Sequence, residues 1–196
     1  LMEERDVQVK GFKIRLPLDV VIVASANPED YTSRGRIVTP LKDRFDVQIR
    51  THYPRSIDEE IAIAEQEVPF DDRDGRAVRV PGFMKEIVAQ LTFEARRSPE
   101  VNQASGVSVR MTINVLETLL ANAERRAARL GETEIVPRPC DLHAIAAAMQ
   151  GKLEMELASD DRADERAALE RLVNRAVVSV FDRSTSIEGL RRVAEW

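Results

Sequence analysis

Three polar side chains stand where the local sequence gives them a chemical opening. Asn27 follows the dense run Asp19-Val20-Val21-Ile22-Val23-Ala24-Ser25, the kind of segment that forms a strand buried on both faces of a parallel sheet. Ligands of open α/β sheets gather at the carboxyl ends of such strands. An amide there offers donors and an acceptor, and so can orient a water or a phosphate oxygen; Asn27-Pro28 is equally a plain turn signal. Arg44 closes the short segment Pro40-Leu41-Lys42-Asp43-Arg44-Phe45. A guanidinium on a short rigid helix is a clamp for a phosphoryl oxygen, or else a surface ion pair with Asp43 or Asp46. Arg110 follows Ser108-Val109. With Ser108 as N-cap, Arg110 takes the second helical position, where the helix dipole disfavours a cation by about 0.3–1 kcal/mol. A phosphate beside the helix start offsets that cost, because backbone N–H groups and the arginine point at one anion. A nearby carboxylate such as Glu100 serves the same purpose.

Other chemistries are missing. No Gly-x-x-x-x-Gly-Lys-[Ser/Thr] phosphate loop is present: the one Gly-Lys pair, Gly151-Lys152, has Ala146 where the first glycine belongs and Leu153 where a hydroxyl residue belongs. No apolar run ends in Asp-Glu to hold magnesium. A single cysteine, Cys140, excludes a disulfide framework and a cysteine cluster. Cys140 and one of the two histidines, His143, read as packing or surface residues, and no metal site is expected. The net charge of −5 argues against a nucleic-acid binder held by phosphate contacts. Lys10, Lys13 and Arg15 on a hairpin leave a DNA-remodelling reading open, but three basic residues also make an ordinary solvated face. No apolar run reaches the ~18 residues of a membrane span. Leu1-Met2-Glu3-Glu4-Arg5-Asp6 has neither the basic start nor the apolar middle of a signal peptide, so a cytoplasmic protein is expected.

The elements that must position these residues divide at His52-Tyr53-Pro54. Residues 1–52 carry a net charge of +1 and the strand-like signals; residues 53–196 carry −6 and read almost wholly as helix. Val7 to Leu16 alternates around Lys10-Gly11 and predicts a β-hairpin. The run ending at Ser25 is a buried parallel strand, Pro40 to Phe45 a short helix, and Val47, Ile49 and Thr51 a second strand. Ser56-Ile57-Asp58-Glu59 is a capping box that opens a helix buried through Ile57, Ile61, Ala64 and Val68. Residues 69–81 form a polar loop. Gly82 to about Arg97 is a helix with Phe83, Ile87 and Leu91 inward. Val109, Ile113, Leu116, Leu120, Ala123, Ala127 and Leu130 mark the cleanest helical stripe, stopped by Gly131. Pro139 to about Gln150 is a shorter helix. Lys152 to Leu157 reads as a strand or a helix end. Asp160 to Asp182 is a helix with Leu169, Leu172, Val173, Ala176, Val177 and Val180 on one stripe.

Taken in order, these features resemble the second half of an AAA+ ATPase of the group containing magnesium-chelatase I subunits and MoxR-type ATPases. The residues that carry the likeness are the hairpin, the strand ending Ala24-Ser25-Ala26-Asn27-Pro28-Glu29, the segment Leu41-Lys42-Asp43-Arg44-Phe45, and a helical bundle whose later helix starts Ser108-Val109-Arg110. The resemblance covers about residues 1–130, with Pro139 to Gln150 fitting a further lid helix. It implies a fold with an α/β remnant of an AAA+ core (hairpin plus parallel strands) over 1–52, an all-α lid over 53–150 and a helical extension over 151–196, mostly α by residue count.

The same resemblance implies the roles. Asn27 matches sensor 1 and helps position the attacking water. Arg44 matches the arginine finger and reaches a neighbouring subunit's site. Arg110 matches the sensor 2 arginine on the γ-phosphate of ATP in its own subunit. The cofactors are ATP and Mg²⁺. The assembly is a homo-oligomeric ring, a hexamer, and some relatives work with a partner bearing a von Willebrand A domain. The family's Walker A and Walker B segments have no counterpart here, so they are expected upstream, the first roughly 100 residues before Leu1 by family spacing, and these residues alone are not expected to hydrolyse ATP. Without upstream strands, residues 1–52 are expected to leave apolar faces uncovered, to pair with another copy or to be poorly ordered, whereas the lid buries its own. The alternative is a non-catalytic helical interaction module that docks a partner protein.

Overall fold

In this computed structural model the residues described are 6–15, 21–25, 45–103, 105–150, 152–156 and 162–185. The chain divides into two units, Leu1–His52 and Tyr53–Trp196.

In the first unit, β1 (Asp6–Val9) and β2 (Phe12–Arg15) pair antiparallel, with Val9 opposite Phe12 and Val7 opposite Ile14. Lys10 and Gly11 make the two-residue turn at φ 49° and 85°. Positive φ at both central residues gives the turn twist that matches paired strands. No atom lies within 4 Å of where a Cβ on Gly11 would stand, so the backbone angle, not space, favours glycine there.

The two expected strands downstream do not form. Residues 21–25 and 47–50 carry no strand ladder, and Val21 and Val23 are 92% and 88% exposed. Val47 and Ile49 are likewise exposed. A β-branched run becomes a buried strand only when neighbours take its backbone groups and cover both faces; among the described residues none does. The short helix expected from Pro40 falls outside the described residues, apart from Phe45, which is not helical.

The second unit is mostly helical. Helix α1 (Ile57–Glu67) starts as its sequence dictates: the Ser56 hydroxyl accepts from the Glu59 N–H at 3.1 Å, and Asp58, Glu59 and Glu60 crowd the first turn, where the dipole favours anions. The reciprocal arm of the box lands one residue early, with the Glu59 carboxylate accepting from the Arg55 N–H at 2.7 Å. Glu60, Ala64 and Val68 are the buried positions here, and Ile57 and Ile61 are only partly covered.

Helix α2 (Gly82–Arg97) buries Met84, Ile87, Val88, Leu91 and Ala95. That spacing of three and four defines one stripe, and Phe83, one residue off it, is exposed. Helix α3 (Arg110–Leu130) is the central element. It buries Leu116, Leu120, Ala123 and Ala127 as expected, and also Met111, Val115 and Leu119, because helices pack on more than one side of it; Leu130 is exposed. Gly131 ends it at φ 67°, with its N–H and that of Glu132 both donating to the Ala127 carbonyl.

Short pieces join the helices. Within the expected loop 69–81, Arg73 and Arg76 exchange backbone hydrogen bonds around Asp74-Gly75, both at positive φ. Strand β3 (Ala77–Val78) then pairs parallel with β4 (Glu134–Ile135), so this unit is not wholly α. The expected helix from Pro139 is a 3₁₀ helix (Pro139–Ile145) continued by α4 (Ala146–Gln150). Met155 bridges Val101, flanked by backbone bonds between Asn102 and Glu154 and between Glu156 and Glu100, so this stretch is strand-like.

Helix α5 (Arg162–Ser184) buries Leu169, Leu172, Ala176 and Val180 in the same core as α2 and α3. It runs antiparallel to α2: Arg171 and Arg175 meet Glu100, and Arg183 meets Gln90. Among the described residues no helix is long and apolar enough to cross a membrane.

Candidate functional site

Of the three residues singled out by the sequence, Asn27 and Arg44 lie outside the described residues. Arg110 is the first residue of α3, one place earlier than expected, with Val109 at the cap position in helical torsions. The Ser108 hydroxyl still accepts from the Arg110 N–H at 3.2 Å, and the Ser108 carbonyl accepts from Met111. The serine therefore satisfies one of the donors that a helix start leaves open.

The Arg110 side chain is exposed. Among the described residues it has no hydrogen-bond or ion-pair partner. Glu100, the carboxylate named from the sequence as one counter-charge, is taken: it holds Arg171 at 2.7 Å and Arg175 at 3.3 Å, both on α5. Among the described residues the cation thus sits uncompensated at the positive end of the helix dipole, an arrangement that favours an anion from outside.

The start of α3 is held by a buried polar network. Glu60, 0% exposed, accepts from both terminal guanidinium nitrogens of Arg96 at 2.8 and 3.1 Å and from the Thr112 hydroxyl at 2.5 Å. Thr112 in turn shares a 2.7 Å hydrogen bond with Thr92. The Arg96 Nε–H donates to the Val107 carbonyl at 3.0 Å, and the guanidinium lies 4.4 Å from the Tyr53 ring centre. The Tyr53 hydroxyl accepts from the Val107 N–H at 3.1 Å. Bidentate, stacked geometry of this kind suits arginine and not lysine. Segment 53, α1 and α2 therefore converge on the few residues either side of Arg110.

A second network sits at the other end of α3. Asp141, 1% exposed, accepts from Asn122, from two nitrogens of Arg126 and from the Arg138 N–H. Arg126 also reaches Glu132 at 2.7 Å and the Val136 carbonyl at 2.6 Å. Burial pushes the Asp141 carboxyl up, but the hydrogen bonds from Arg126, Arg138 and Asn122 and the charge of Arg126 reverse this, leaving it below the ordinary carboxylate range. The hydrogen bond to Asp141 likewise holds Arg126 above its ordinary value, against its burial.

The sequence reading missed both networks. Glu60 carried a signal: it stands four residues before Ala64 and eight before Val68, so it shares their buried stripe. Its partners come from α2 and α3, and no local pattern names them. Among the described residues no group of three or more His, Cys, Asp and Glu side chains is placed to hold a metal ion.

The chain is similar to the uncharacterized protein YeaC of Bacillus subtilis (strain 168), at 27% identity over 139 residues covering 62% of this chain and 42% of that protein. It therefore matches less than half of that relative's length. No family model and no solved structure matches the chain.

Proposed function

We propose that the chain is the sensor, finger and lid portion of an AAA+ ATPase of the magnesium-chelatase I and MoxR-like group, a cytoplasmic motor coupling ATP hydrolysis in a homo-oligomeric ring to metal insertion or to remodelling of a partner protein. In this reading residues 1–52 belong to the α/β core, 53–150 form the lid and 151–196 extend it. Asn27 orients water, Arg44 is supplied to the adjacent subunit, and Arg110 meets the γ-phosphate. ATP and Mg²⁺ are held mainly by segments this chain does not contain. A von Willebrand A domain partner fits the same reading.

The observation that carries it is the state of Arg110: an exposed guanidinium on the first turn of α3 with no compensating partner among the described residues, Glu100 being engaged elsewhere. A γ-phosphate supplies the missing charge. Its loss on hydrolysis releases the arginine, so that the lid and core can rotate against each other. The hairpin turn at Lys10-Gly11 is a second feature of the resemblance.

The alternative, a helical module that docks a partner without catalysis, draws on the exposed apolar side chains Phe83, Val178 and Phe181. ATP titration of the longest natural polypeptide carrying this chain separates the two readings, because the module ignores nucleotide. In that polypeptide Arg44→Ala is expected to leave ATP binding nearly intact and to lower turnover by about 10³-fold, the scale on which arginine fingers act. Turnover at the wild-type rate overturns the finger assignment.

A further inference from the structure

A pocket of about 300 Å³ opens at the carboxyl end of α3, between that helix and the 3₁₀ helix, and Arg110 plays no part in it. Its floor is the Asn122–Asp141–Arg126 network, whose polar atoms are already paired. Asp141 therefore adds no free negative charge. Arg125 and Arg129 stand on the wall, one helical turn apart, and both are exposed. Arg125 spends one nitrogen on the neutral Asn122 amide at 2.8 Å. Among the described residues neither arginine meets a carboxylate: Glu132 is held by Arg126 and Arg138, and Glu124 by Arg73. Like charges at this spacing repel; the negative end of the α3 dipole offsets part of this at Arg129, in the last turn, and a bound anion would relieve the rest.

His143 does not supply a donor while neutral. Its Nδ1 lies 2.5 Å from the Cys140 carbonyl, which only accepts, so Nδ1 carries the proton and Nε2 is left bare. Leu130 and the arginine stems give the pocket apolar walls. The volume is at the small end of the range for ligand clefts.

We propose that this pocket binds a small polyanion, with Arg125 and Arg129 each taking one anionic group. Side chains one turn apart have Cβ atoms about 6 Å apart, which fits two charged groups separated by a few bonds, as in a polycarboxylate or a pyrophosphate. The site is about four to five turns along the helix from Arg110, and it does not rest on the nucleotide reading.

The test is calorimetric titration of the intact chain with citrate and, separately, with inorganic pyrophosphate, at fixed ionic strength so that screening is constant. One-site saturable binding of at least one anion is expected, and the tighter one identifies carboxylate or phosphate as the group recognised. R125Q/R129Q is expected to weaken that binding by at least tenfold, on the scale of charge-assisted hydrogen bonds. Arg166→Gln, which removes one positive charge from an exposed site on α5, is expected to leave it unchanged. Both sets of substitutions are on the surface, and circular dichroism checks that the fold is kept. The proposal is overturned by the absence of saturation with either anion, by wild-type affinity in R125Q/R129Q, by an equal loss in Arg166→Gln, or by a loss in Arg110→Ala alone.

Discussion

Arg126 and Arg110 occupy opposite ends of one helix and meet opposite fates. Arg126 is closed in by Asp141, Glu132 and the Val136 carbonyl. Arg110 stands in solvent with none of these, and the carboxylate the sequence offered as an example, Glu100, is drawn off by α5. The side chains are chemically identical. What separates them is where the tertiary fold sends its carboxylates. A paired arginine such as Arg126, or Arg96 against Glu60, holds elements together; an unpaired one at a helix start is available to a ligand.

The contrast is sharpest where an arginine is removed from a buried pair. Arg96→Leu leaves Glu60, fully buried, without its partner and is expected to destabilise the second unit by about 3–5 kcal/mol in chemical denaturation. Asp141→Asn is expected to cost less, about 2–3 kcal/mol at neutral pH, through weaker hydrogen bonds to Arg126 and the Arg138 N–H. That gap should depend on pH. The native state holds Asp141 below its unfolded value, so its contribution is complete above about pH 4 and is lost as pH falls through the lower native value. Unfolding curves from pH 7 to pH 3 should show the wild type converging on the variant. A constant gap would mean that the carboxylate charge is not what Arg126 holds. Arg110→Ala has the smallest effect and the opposite sign. Removing an uncompensated cation from a helix start is expected to stabilise the fold by about 0.3–1 kcal/mol, and a loss of more than that would expose a partner for Arg110.

Local rules were readable wherever the cause of structure was local. Lys10-Gly11 fixed the hairpin register, Ser56 the start of α1 and Gly131 the end of α3. Asp74-Gly75 was an equally readable turn signal that the polar character of its loop concealed. The apolar run through Val21 and Val23 shows the limit of composition: β-branched residues state that a segment can form a strand, and only a neighbouring strand makes it one. Phe83 shares a four-residue spacing with Ile87 and Leu91 that points it inward, but the stripe of Met84, Ile87, Leu91 and Ala95 leaves it outside. The polar networks were hidden for a different reason. Glu60 finds Arg96 and Thr112 across 36 and 52 residues, separations at which a single sequence carries no pairing signal. Of the candidate site, the sequence placed Arg110 at the start of its helix; that Glu100 would be occupied by α5 became visible only in three dimensions.

The most direct test of the central claim is a paired measurement on Arg110→Ala in the longest natural polypeptide carrying this chain: ATP affinity and turnover alongside thermal stability. An arginine kept free for a γ-phosphate predicts affinity weakened by about tenfold or more, turnover reduced with it, and a melting temperature unchanged or slightly raised. Unaltered ATP binding and turnover in a folded variant would contradict the account.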